Sequence, residues 1–389
     1  MHRPKATREF FVPLHVLLHL MNATTNKHTG LLETLIPSGW AFALFRLPEQ
    51  SQPVGLFLPS HDVETLDRLS QLDSEPAFLI APFKNQPSTP IVRLRSADWI
   101  LGMEAIRTAA VQNARIKHPV ATGHTATEGN QSTTRTQYAE SFANVQACLQ
   151  QGHCNKVVLS KCEVLPRPES KELLDFFQDA CIQYPEAFVC LFHTAQSGTW
   201  LFSSPELLYA SNGNQSSTCA LAGTIAAGRK DETTQWSDKN SREQEWVRRY
   251  VDEVLQKHQI PTQQIHRESV RAGDLMHIKT TYRFATDSIP SLGLLLEDLH
   301  PTPATGGYPK KEALQCIEDC ETHHRGYYTG FAGPIGFQQN KHLYVNLRCM
   351  QLLDKNIQLF TGGGILPESQ PDDEWHETNI KLNTMKALL

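Results

Sequence analysis

Four short motifs in the C-terminal two-thirds of this 389-residue chain combine charged or hydroxyl side chains with residues that restrict the backbone. A fifth motif with two glutamates and a lysine follows them. Together they supply a lysine that could act as a base, several carboxylates and a floor of small residues. This set suits the binding of a dianionic small molecule beside a hard metal ion, and acid–base chemistry on it. The motifs are KVVLSK from Lys156, SPELL from Ser204, LAGT from Leu221, LHPTPA from Leu299 and EWHETNIK from Glu374.

The carboxylates of the last motif have helical spacing. Glu374, Glu377 and Lys381 stand at i, i+3 and i+7, so one side of a helix presents all three. A second predicted helix contains Glu243 and Glu245, of which only one can point at a given site. Three glutamates that converge from two helices would repel one another without a cation, and Mg²⁺ prefers such oxygen ligands. The alternative is an ordinary solvated helix face with a Glu–Lys ion pair.

The segments around the motifs predict alternating helices and short strands. Tyr138, Phe142, Val145 and Leu149 recur on one face of a helix, and strands are expected between the helices. Because the connections are short, this alternation predicts an α+β fold with much antiparallel sheet. Further helices are expected near 237–258, 309–325 and 371–389. The expected division is an N-terminal α/β subregion packed on the core (1–117), a polar linker or mobile loop (118–135) and a catalytic domain (136–389).

The apolar segment 10–21 (FFVPLHVLLHLM) has the outline of a signal peptide. Pro13, His15 and His19 interrupt it, and no A-x-A cleavage site follows closely. We therefore expect an N-terminal helix of the folded domain instead.

Composition and charge exclude several classes of partner. The net charge is −5 at pH 7 and no basic patch is evident, so nucleic acid is not expected as a partner. No segment has the roughly 20 apolar residues that span a bilayer, so no membrane is expected either. The nine cysteines are odd in number and several lie in apolar runs, which is typical of reduced thiols in a cytoplasmic protein. Without a heptad pattern or an exposed apolar helix, we expect a monomer.

One cluster of cysteines and histidines allows a metal interpretation. Cys316, Cys320, His323 and His324 share helical spacing. Structural zinc sites usually pair short loops rather than one helix face. We therefore expect a buried side of a helix that ends in solvated histidines.

In their types and order, the motifs resemble those of the chorismate-utilising enzymes. This family includes isochorismate synthases, salicylate synthases and the large subunits of anthranilate and aminodeoxychorismate synthases. The resemblance runs from about Tyr138 to Leu388, whereas the first 120 residues match only loosely. It implies a chorismate-binding catalytic domain of large, mostly antiparallel sheets packed in layers with helices outside.

The resemblance also implies roles for residues at matching positions. Glu243 and Glu377 match the carboxylates that bind Mg²⁺, and Glu374 lies close by as a second or water-mediated ligand. His300 of LHPTPA matches a pocket histidine near the ring, which adds a candidate catalytic residue.

The expected substrate-binding residues hold the two carboxylates of chorismate. Lys381 and Thr224, beside Gly223 in the LAGT motif, match groups that hold the ring carboxylate next to the metal. An arginine suits the second carboxylate because its planar fork can donate two hydrogen bonds. The residues that match this receptor for the enolpyruvyl carboxylate are Tyr328, Arg348, Gly362, Gly363 and Gly364.

Three positions distinguish the branches of the family. Lys156 matches the water-activating base of isochorismate and salicylate synthases, which the aminating enzymes lack, and Glu206 matches the general acid. Ala304 stands where salicylate-forming members tend to have threonine, so alanine resembles the synthases that stop at isochorismate. The departures from the family pattern, none of which removes a reacting group, are Gln244, Thr361 and the pair Ser160-Lys161.

The resemblance therefore implies an Mg²⁺-dependent isochorismate synthase that converts chorismate reversibly to isochorismate. Water would attack C2 of the ring while the C4 hydroxyl leaves. A salicylate synthase and an aminating anthranilate or aminodeoxychorismate synthase component remain the alternatives within the family, and a catalytically inactive scaffold or chorismate-sensing subunit is the alternative outside enzymes. Menaquinone and catecholate siderophore synthesis both begin from isochorismate, and we lean towards menaquinone.

Overall fold

Two nine-stranded sheets form the framework of the protein. The computed structural model describes residues 30–120, 129–226, 235–272 and 275–389, so the predicted helix at 10–21 lies outside the described residues. Every pair of neighbouring strands in both sheets is antiparallel. The prediction of an α+β fold with large antiparallel sheets is confirmed.

The first sheet has the strand order β14-β7-β18-β17-β9-β8-β1-β2-β6. Its strands are β1 (Trp40–Arg46), β2 (Val54–Pro59), β6 (Ile100–Leu101), β7 (Lys156–Pro166), β8 (Phe188–Thr194), β9 (Gly198–Ser204), β14 (Gly307–Tyr308), β17 (Cys349–Leu352) and β18 (Asn356–Ile365).

The second sheet has the strand order β12-β13-β11-β10-β16-β15-β4-β5-β3. Its strands are β3 (Glu64–Leu66), β4 (Ala77–Ala81), β5 (Ile91–Arg95), β10 (Leu207–Asn212), β11 (Gln215–Ala226), β12 (Thr262–Ala272), β13 (Leu275–Ala285), β15 (Phe331–Phe337) and β16 (Asn340–Val345).

Seven α-helices are present within the described ranges. Several have side-chain caps: Thr134 and Gln137 form a capping box before the helix Arg135–Gln150, and Ser237 caps the helix Asp238–Lys257. The helices are α1 (Met103–Asn113), α2 (Arg135–Gln150), α3 (Leu173–Gln183), α4 (Asp238–Lys257), α5 (Leu292–Leu299), α6 (Lys310–Cys320) and α7 (Pro371–Lys386). Short 3₁₀ turns occur at Ser60–Asp62, Leu69–Gln71 and Thr286–Ser288.

The sheets and helices pack in layers because strands of the sheets have apolar residues on both faces. In β1, Phe45 packs with Phe78 of the second sheet in a core between the sheets, whereas Phe42 and Leu44 pack with residues of α1 and α3 on the outer face. The outer face of the second sheet is covered by α4 and α5, where Val251 and Leu296 are buried. The result is the predicted arrangement of sheets in layers with helices outside.

The N-terminal strands are part of both sheets. β1 lies between β2 and β8, and β4 pairs with β15. β1 and β4 thereby supply hydrogen-bonding partners to the backbones of β8 and β15. Of the predicted linker, residues 121–128 lie outside the described part, while Ser132 and Thr133 form hydrogen bonds with β7.

The cysteine–histidine cluster does not form a metal site. All nine cysteines are free thiols, and no group of three or more potential metal ligands converges in the described residues. Cys316 and Cys320 face each other in the core with their Sγ atoms 3.9 Å apart. The expectation of a solvated His323 is wrong, since its buried ring lies 2.9 Å from the Ser160 hydroxyl. The described helices include none that is long and apolar enough to cross a membrane.

Candidate active site

A polar cleft lies where β7, β18, β11 and helices α4 and α7 meet. Its empty volume is about 670 Å³ including its open mouth. It brings together ten of the residues that were predicted for the site, which come from across some 180 residues of sequence. These are Glu206, Gly223, Thr224, Glu243, Ala304, Tyr328, Arg348, Gly362, Gly364 and Lys381.

The glycines of β18 allow side chains of two helices to approach the sheet. Gly362 and Gly364 pair with Ser160 and Val158 of β7. A Cβ atom on Gly364 would lie 2.2 Å from Glu243 Oε1 and 2.9 Å from the Cε atom of Lys156. The missing side chain at this position is therefore what lets the carboxylate of α4 reach the lysine of β7.

Replacing Gly364 by alanine should disrupt the site. The new methyl group would displace Glu243 and Lys156, so we expect a fall in turnover and, from overpacking, a loss of about 1–3 kcal/mol in the free energy of unfolding. Gly306→Ala is the matched control, because its Cβ would make only ordinary contacts of 3.4 Å or more. Steady-state kinetics and chemical denaturation of both variants test this. Equal turnover in the two variants would contradict it.

Lys156 and Glu243 form a buried ion pair at the base of the cleft. Lys156 Nζ lies 3.0 Å from Glu243 Oε1, and the lysine side chain is fully buried. Burial alone would raise the pKa of Glu243, but the charges of Lys156 and Lys381 outweigh it and the pKa is lowered. The neighbouring glutamate of α4, Glu245, instead pairs with Arg248 on the outer surface. Of these two glutamates, only Glu243 points into the site.

The two predicted carboxylates of α7 lie beside the same strand. The buried Glu374 accepts hydrogen bonds from Lys239 Nζ and, at 2.7 Å, from the Ser369 hydroxyl. Glu377 pairs with Lys381 at 2.7 Å. Burial and repulsion by Glu377 raise the pKa of Glu374 despite Lys239. Each of the three predicted metal carboxylates thus has a lysine partner, and within the described ranges they do not close into a three-ligand cluster.

Glu206 is held in a form that can donate a proton. The residue is 3% exposed, and its backbone N–H donates to Ser204 Oγ at 3.2 Å. Burial raises the pKa of Glu206 to about 8, although the charge of Lys156 opposes the rise. At neutral pH most of this carboxyl is therefore protonated, as general acid catalysis requires.

Cationic and hydroxyl groups line the other side of the cleft. Arg348 has an unusual positive φ of 49°, and it donates to Thr384 Oγ1 at 3.1 Å. Lys381 Nζ donates to Gly362 O at 3.1 Å. The Tyr328 ring stacks on Phe360 and its hydroxyl lies close to Gly362. These groups suit a small molecule with two carboxylates.

The structure adds two residues that the sequence analysis missed. His277 of β13 lies opposite Thr224 in the ladder, lines the cleft and sits 3.3 Å from Arg348 Nη2. Burial and the charges of Arg348 and Lys381 lower its pKa to about 3, so its ring is neutral. Lys239 is the second, as the partner of Glu374. Both depend on packing between distant segments, and neither belongs to a motif that marks it in the sequence.

His300 and Gln244 point away from the cleft. His300 Nε2 lies 2.9 Å from the carbonyl oxygen of Pro82, its ring packs against Phe331, and it is not among the cleft-lining residues. This placement does not support the predicted catalytic role of His300. The amide of Gln244 donates to Thr280 Oγ1 at 2.8 Å. This departure from the family pattern therefore does not contact the three predicted metal carboxylates.

The fold and the cleft agree with comparisons to known proteins. The sequence model of the family described as "Chorismate binding enzyme" matches residues 91–389. The chain belongs to this family, and the predicted resemblance to its isochorismate synthase branch is confirmed.

Among its relatives is the isochorismate synthase EntC of Escherichia coli K12, which is 30% identical over 274 residues. This match covers 64% of the chain and 66% of that relative. The structure of MenF, the menaquinone-specific isochorismate synthase from Escherichia coli, superposes with a TM-score of 0.67 at 20% identity, covering 97% of this chain and 98% of that one. Anthranilate synthase component I from Streptococcus pneumoniae has a TM-score of 0.61 at 15% identity and covers 98% of this chain and 100% of that one. The fold alone therefore does not separate hydroxyl transfer from amination.

Proposed function

We propose that the protein is an isochorismate synthase that converts chorismate reversibly to isochorismate with Mg²⁺. The observation that carries the proposal is the placement of two groups: Glu206 lines the cleft, and the buried Lys156 lies behind it with its Nζ atom 3.0 Å from the cleft-lining Glu243. A buried amine and a protonated carboxyl in these positions can act as base and acid. The relatives named isochorismate synthase support the same reaction.

The substrate is expected to bind through its two carboxylates. Arg348 and Tyr328 suit the enolpyruvyl carboxylate, because a guanidinium and a hydroxyl can donate to its oxygens. Lys381 and Thr224 suit the ring carboxylate, and the neutral ring of His277 keeps Arg348 and Thr224 in place. Binding at both ends fixes the ring between the acid and the base. This orientation of the reacting groups can supply much of the rate enhancement.

Three carboxylates are suited to hold Mg²⁺ next to the ring carboxylate. Glu243, Glu374 and Glu377 all lie within electrostatic range of Lys239, and Glu377 repels Glu374. Each carboxylate has a lysine partner in this structure, so a bound cation would take the place of these lysines as the partner of the carboxylates. Bound Mg²⁺ would act as a Lewis acid that withdraws electron density from the ring. A cation held by Glu243 would compete with Lys156 for this carboxylate.

In the proposed reaction, Lys156 removes a proton from the water that attacks C2. Glu206 gives its proton to the C4 hydroxyl, which leaves as water while the double bonds shift. One water is consumed and one is released, so the reaction is an isomerisation. Because reactant and product have similar bonding, we expect an equilibrium constant near unity.

Removal of Mg²⁺ should stop turnover. Chelation with EDTA is expected to abolish activity, and added Mg²⁺ should restore it. Glu377→Gln should raise the Mg²⁺ concentration for half-maximal activity at least about tenfold, since it removes one ligand charge. Calorimetric titration with Mg²⁺ gives a readout that does not depend on turnover. Glu245→Gln, on the outer face of α4, is the control and should bind as the wild type does. Full activity in EDTA would contradict the Mg²⁺ site.

Product analysis tests the proposed function. Purified protein with chorismate and Mg²⁺, without ammonia, should give isochorismate alone. Salicylate with pyruvate would indicate the salicylate synthase, against which Ala304 at the cleft argues. A product that forms only with ammonium would indicate an aminating enzyme. No turnover would favour a scaffold.

The setting of the reaction is also part of the proposal. The nine free thiols are typical of a reducing compartment, so we infer a cytoplasmic enzyme, and we expect a monomer. The isochorismate could enter menaquinone or siderophore synthesis, and the genes that neighbour this one would distinguish these pathways.

A further inference from the structure

A buried ion pair lies behind the cleft and does not belong to the proposed machinery. Glu321 and Arg325 follow α6, their side chains are each 3% exposed, and neither lines the cleft. Arg325 Nε donates to Glu321 Oε2 at 2.8 Å, and Nη2 donates to Glu321 Oε1 at 2.5 Å. Such a two-pronged pair fixes the plane of the guanidinium.

The remaining donors of Arg325 hold three separate segments of the cleft wall. Nη2 donates to the carbonyl oxygen of Val158 at 2.7 Å. Nη1 donates to the carbonyl oxygen of Thr305 at 2.7 Å and to Thr329 Oγ1 at 3.2 Å. All five N–H groups of the guanidinium are therefore used. Val158, Thr305 and Thr329 each line the cleft.

Glu321 holds β7, the strand that contains Lys156, at a second point. Its Oε1 atom accepts from the backbone N–H and from the hydroxyl of Ser160, both at 2.7 Å. Ser160 pairs with Gly362 in the β7–β18 ladder, and Lys156 begins the same strand. The ion pair thus fixes β7, which is the strand that contains the proposed base.

One of the three segments that Arg325 holds has a strained backbone. Thr329 has a φ of 59°, a backbone conformation that is unfavourable for a β-branched residue. Its N–H donates to Asn346 O, and its hydroxyl meets Arg325. Tyr328, directly before it, is one of the predicted substrate-binding residues. Because a strained residue persists only when its surroundings hold it, the contact with Arg325 also fixes the position of Tyr328.

We propose that the Glu321–Arg325 pair is a positioning device that holds the strand of Lys156, the Ala304–Thr305 turn and the Tyr328–Thr329 segment in register around the substrate. This inference rests on the proposed function. Neither residue touches the reacting atoms. A displacement of about 1 Å in a catalytic group can reduce turnover by about 10²-fold, so loss of these ties should reduce kcat more than it changes KM.

The test uses the double variant Glu321→Leu/Arg325→Met. Replacing both partners of a buried pair by apolar residues usually preserves stability, whereas removal of one partner leaves an unpaired buried charge. We expect a folded but less stable protein, because the Ser160 N–H and the carbonyls of Val158 and Thr305 lose their partners. Per folded molecule, kcat should fall about 30- to 100-fold and KM should change less than about threefold. Arg325→Lys keeps the charge with fewer donors and should recover part of kcat.

A second ion pair provides the matched control. Arg167 and Glu33 are 2.5 Å apart, largely buried and outside the cleft lining. Glu33→Leu/Arg167→Met should leave kcat and KM unchanged. If the Glu321–Arg325 double variant keeps wild-type kcat per folded molecule, or loses only as much as the control, the pair is merely structural and the inference is wrong.

Hydrogen–deuterium exchange separates this inference from the proposed function. In the Glu321–Arg325 double variant, peptides that cover 156–160, 302–306 and 328–330 should exchange faster than in the wild type and in the control. This result is expected whatever product the wild type makes. Unchanged exchange in all three peptides would overturn the positioning role even if isochorismate is formed.

Discussion

Replacing Lys156 by glutamine should abolish the conversion of chorismate to isochorismate and leave chorismate binding intact. The buried amine is the only proposed base for the attacking water, and general acid–base catalysis typically contributes about 10²–10⁴-fold to a rate. Binding should persist because Arg348, Lys381 and Tyr328 are unchanged. Chromatography of products and calorimetric titration with chorismate, both in saturating Mg²⁺, measure the two effects. Near-normal production of isochorismate would refute the assignment of the base.

Lys161 offers a matched control on the same strand. Its side chain is also buried, and burial lowers its pKa to about 8. It points to the opposite face of β7, where Nζ lies 3.4 Å from the centre of the Trp375 ring and donates to Asn379 Oδ1 at 2.5 Å. Lys161→Gln should therefore lower the melting temperature without the loss of turnover that marks Lys156→Gln. Equal loss in both variants would indicate a general effect of uncharged residues in this strand.

Replacing Glu206 by glutamine should lower kcat by about 10²–10³-fold and remove one limb of the pH profile. Burial raises the pKa of Glu206 to about 8, so the wild-type carboxyl keeps its proton at neutral pH and loses it as the pH rises through about 8. Wild-type kcat should therefore fall on the alkaline side of this value, because the C4 hydroxyl then leaves without an acid. Glutamine has nearly the same shape as a protonated glutamate, but its amide cannot donate an acidic proton.

Measurement of kcat across this range in both proteins tests the assignment. In Glu206→Gln the residual rate should lack the alkaline fall, while KM stays close to that of the wild type. Glu186→Gln is a control, because Glu186 is exposed and does not line this cleft. An alkaline fall that persists unchanged in Glu206→Gln would assign it to another group.

The parts of the site that could be predicted from the sequence are those marked by local motifs. Lys156, Glu206 and Gly364 stand in short strings whose neighbours fix the backbone. In the structure Glu206 and Gly364 line the cleft, and the side chain of Lys156 lies beside Gly364. The spacing of Glu374 and Glu377 placed them on one side of a helix, and α7 has both beside β18. In each case the residues that identify the position lie within a few residues of it in the sequence.

The parts that could not be predicted depend on contacts between distant segments. His277 faces the cleft because β13 pairs with β11 in one particular register, and a slip by one residue would turn it away. His300 was assigned to the cleft by its motif, but the carbonyl of Pro82, more than 200 residues earlier, holds its ring elsewhere. The N-terminal strands likewise gave no local sign that β1 pairs with β8.

In the proposed reaction, water attacks the ring of chorismate at C2 with Lys156 and Glu206 as base and acid. The most direct test is a single short incubation of the protein with chorismate and Mg²⁺ in oxygen-18-labelled water, followed by mass spectrometry of the product. We expect isochorismate with one labelled oxygen, in its C2 hydroxyl. Isochorismate that retains the unlabelled hydroxyl of chorismate, or a product other than isochorismate, would contradict it.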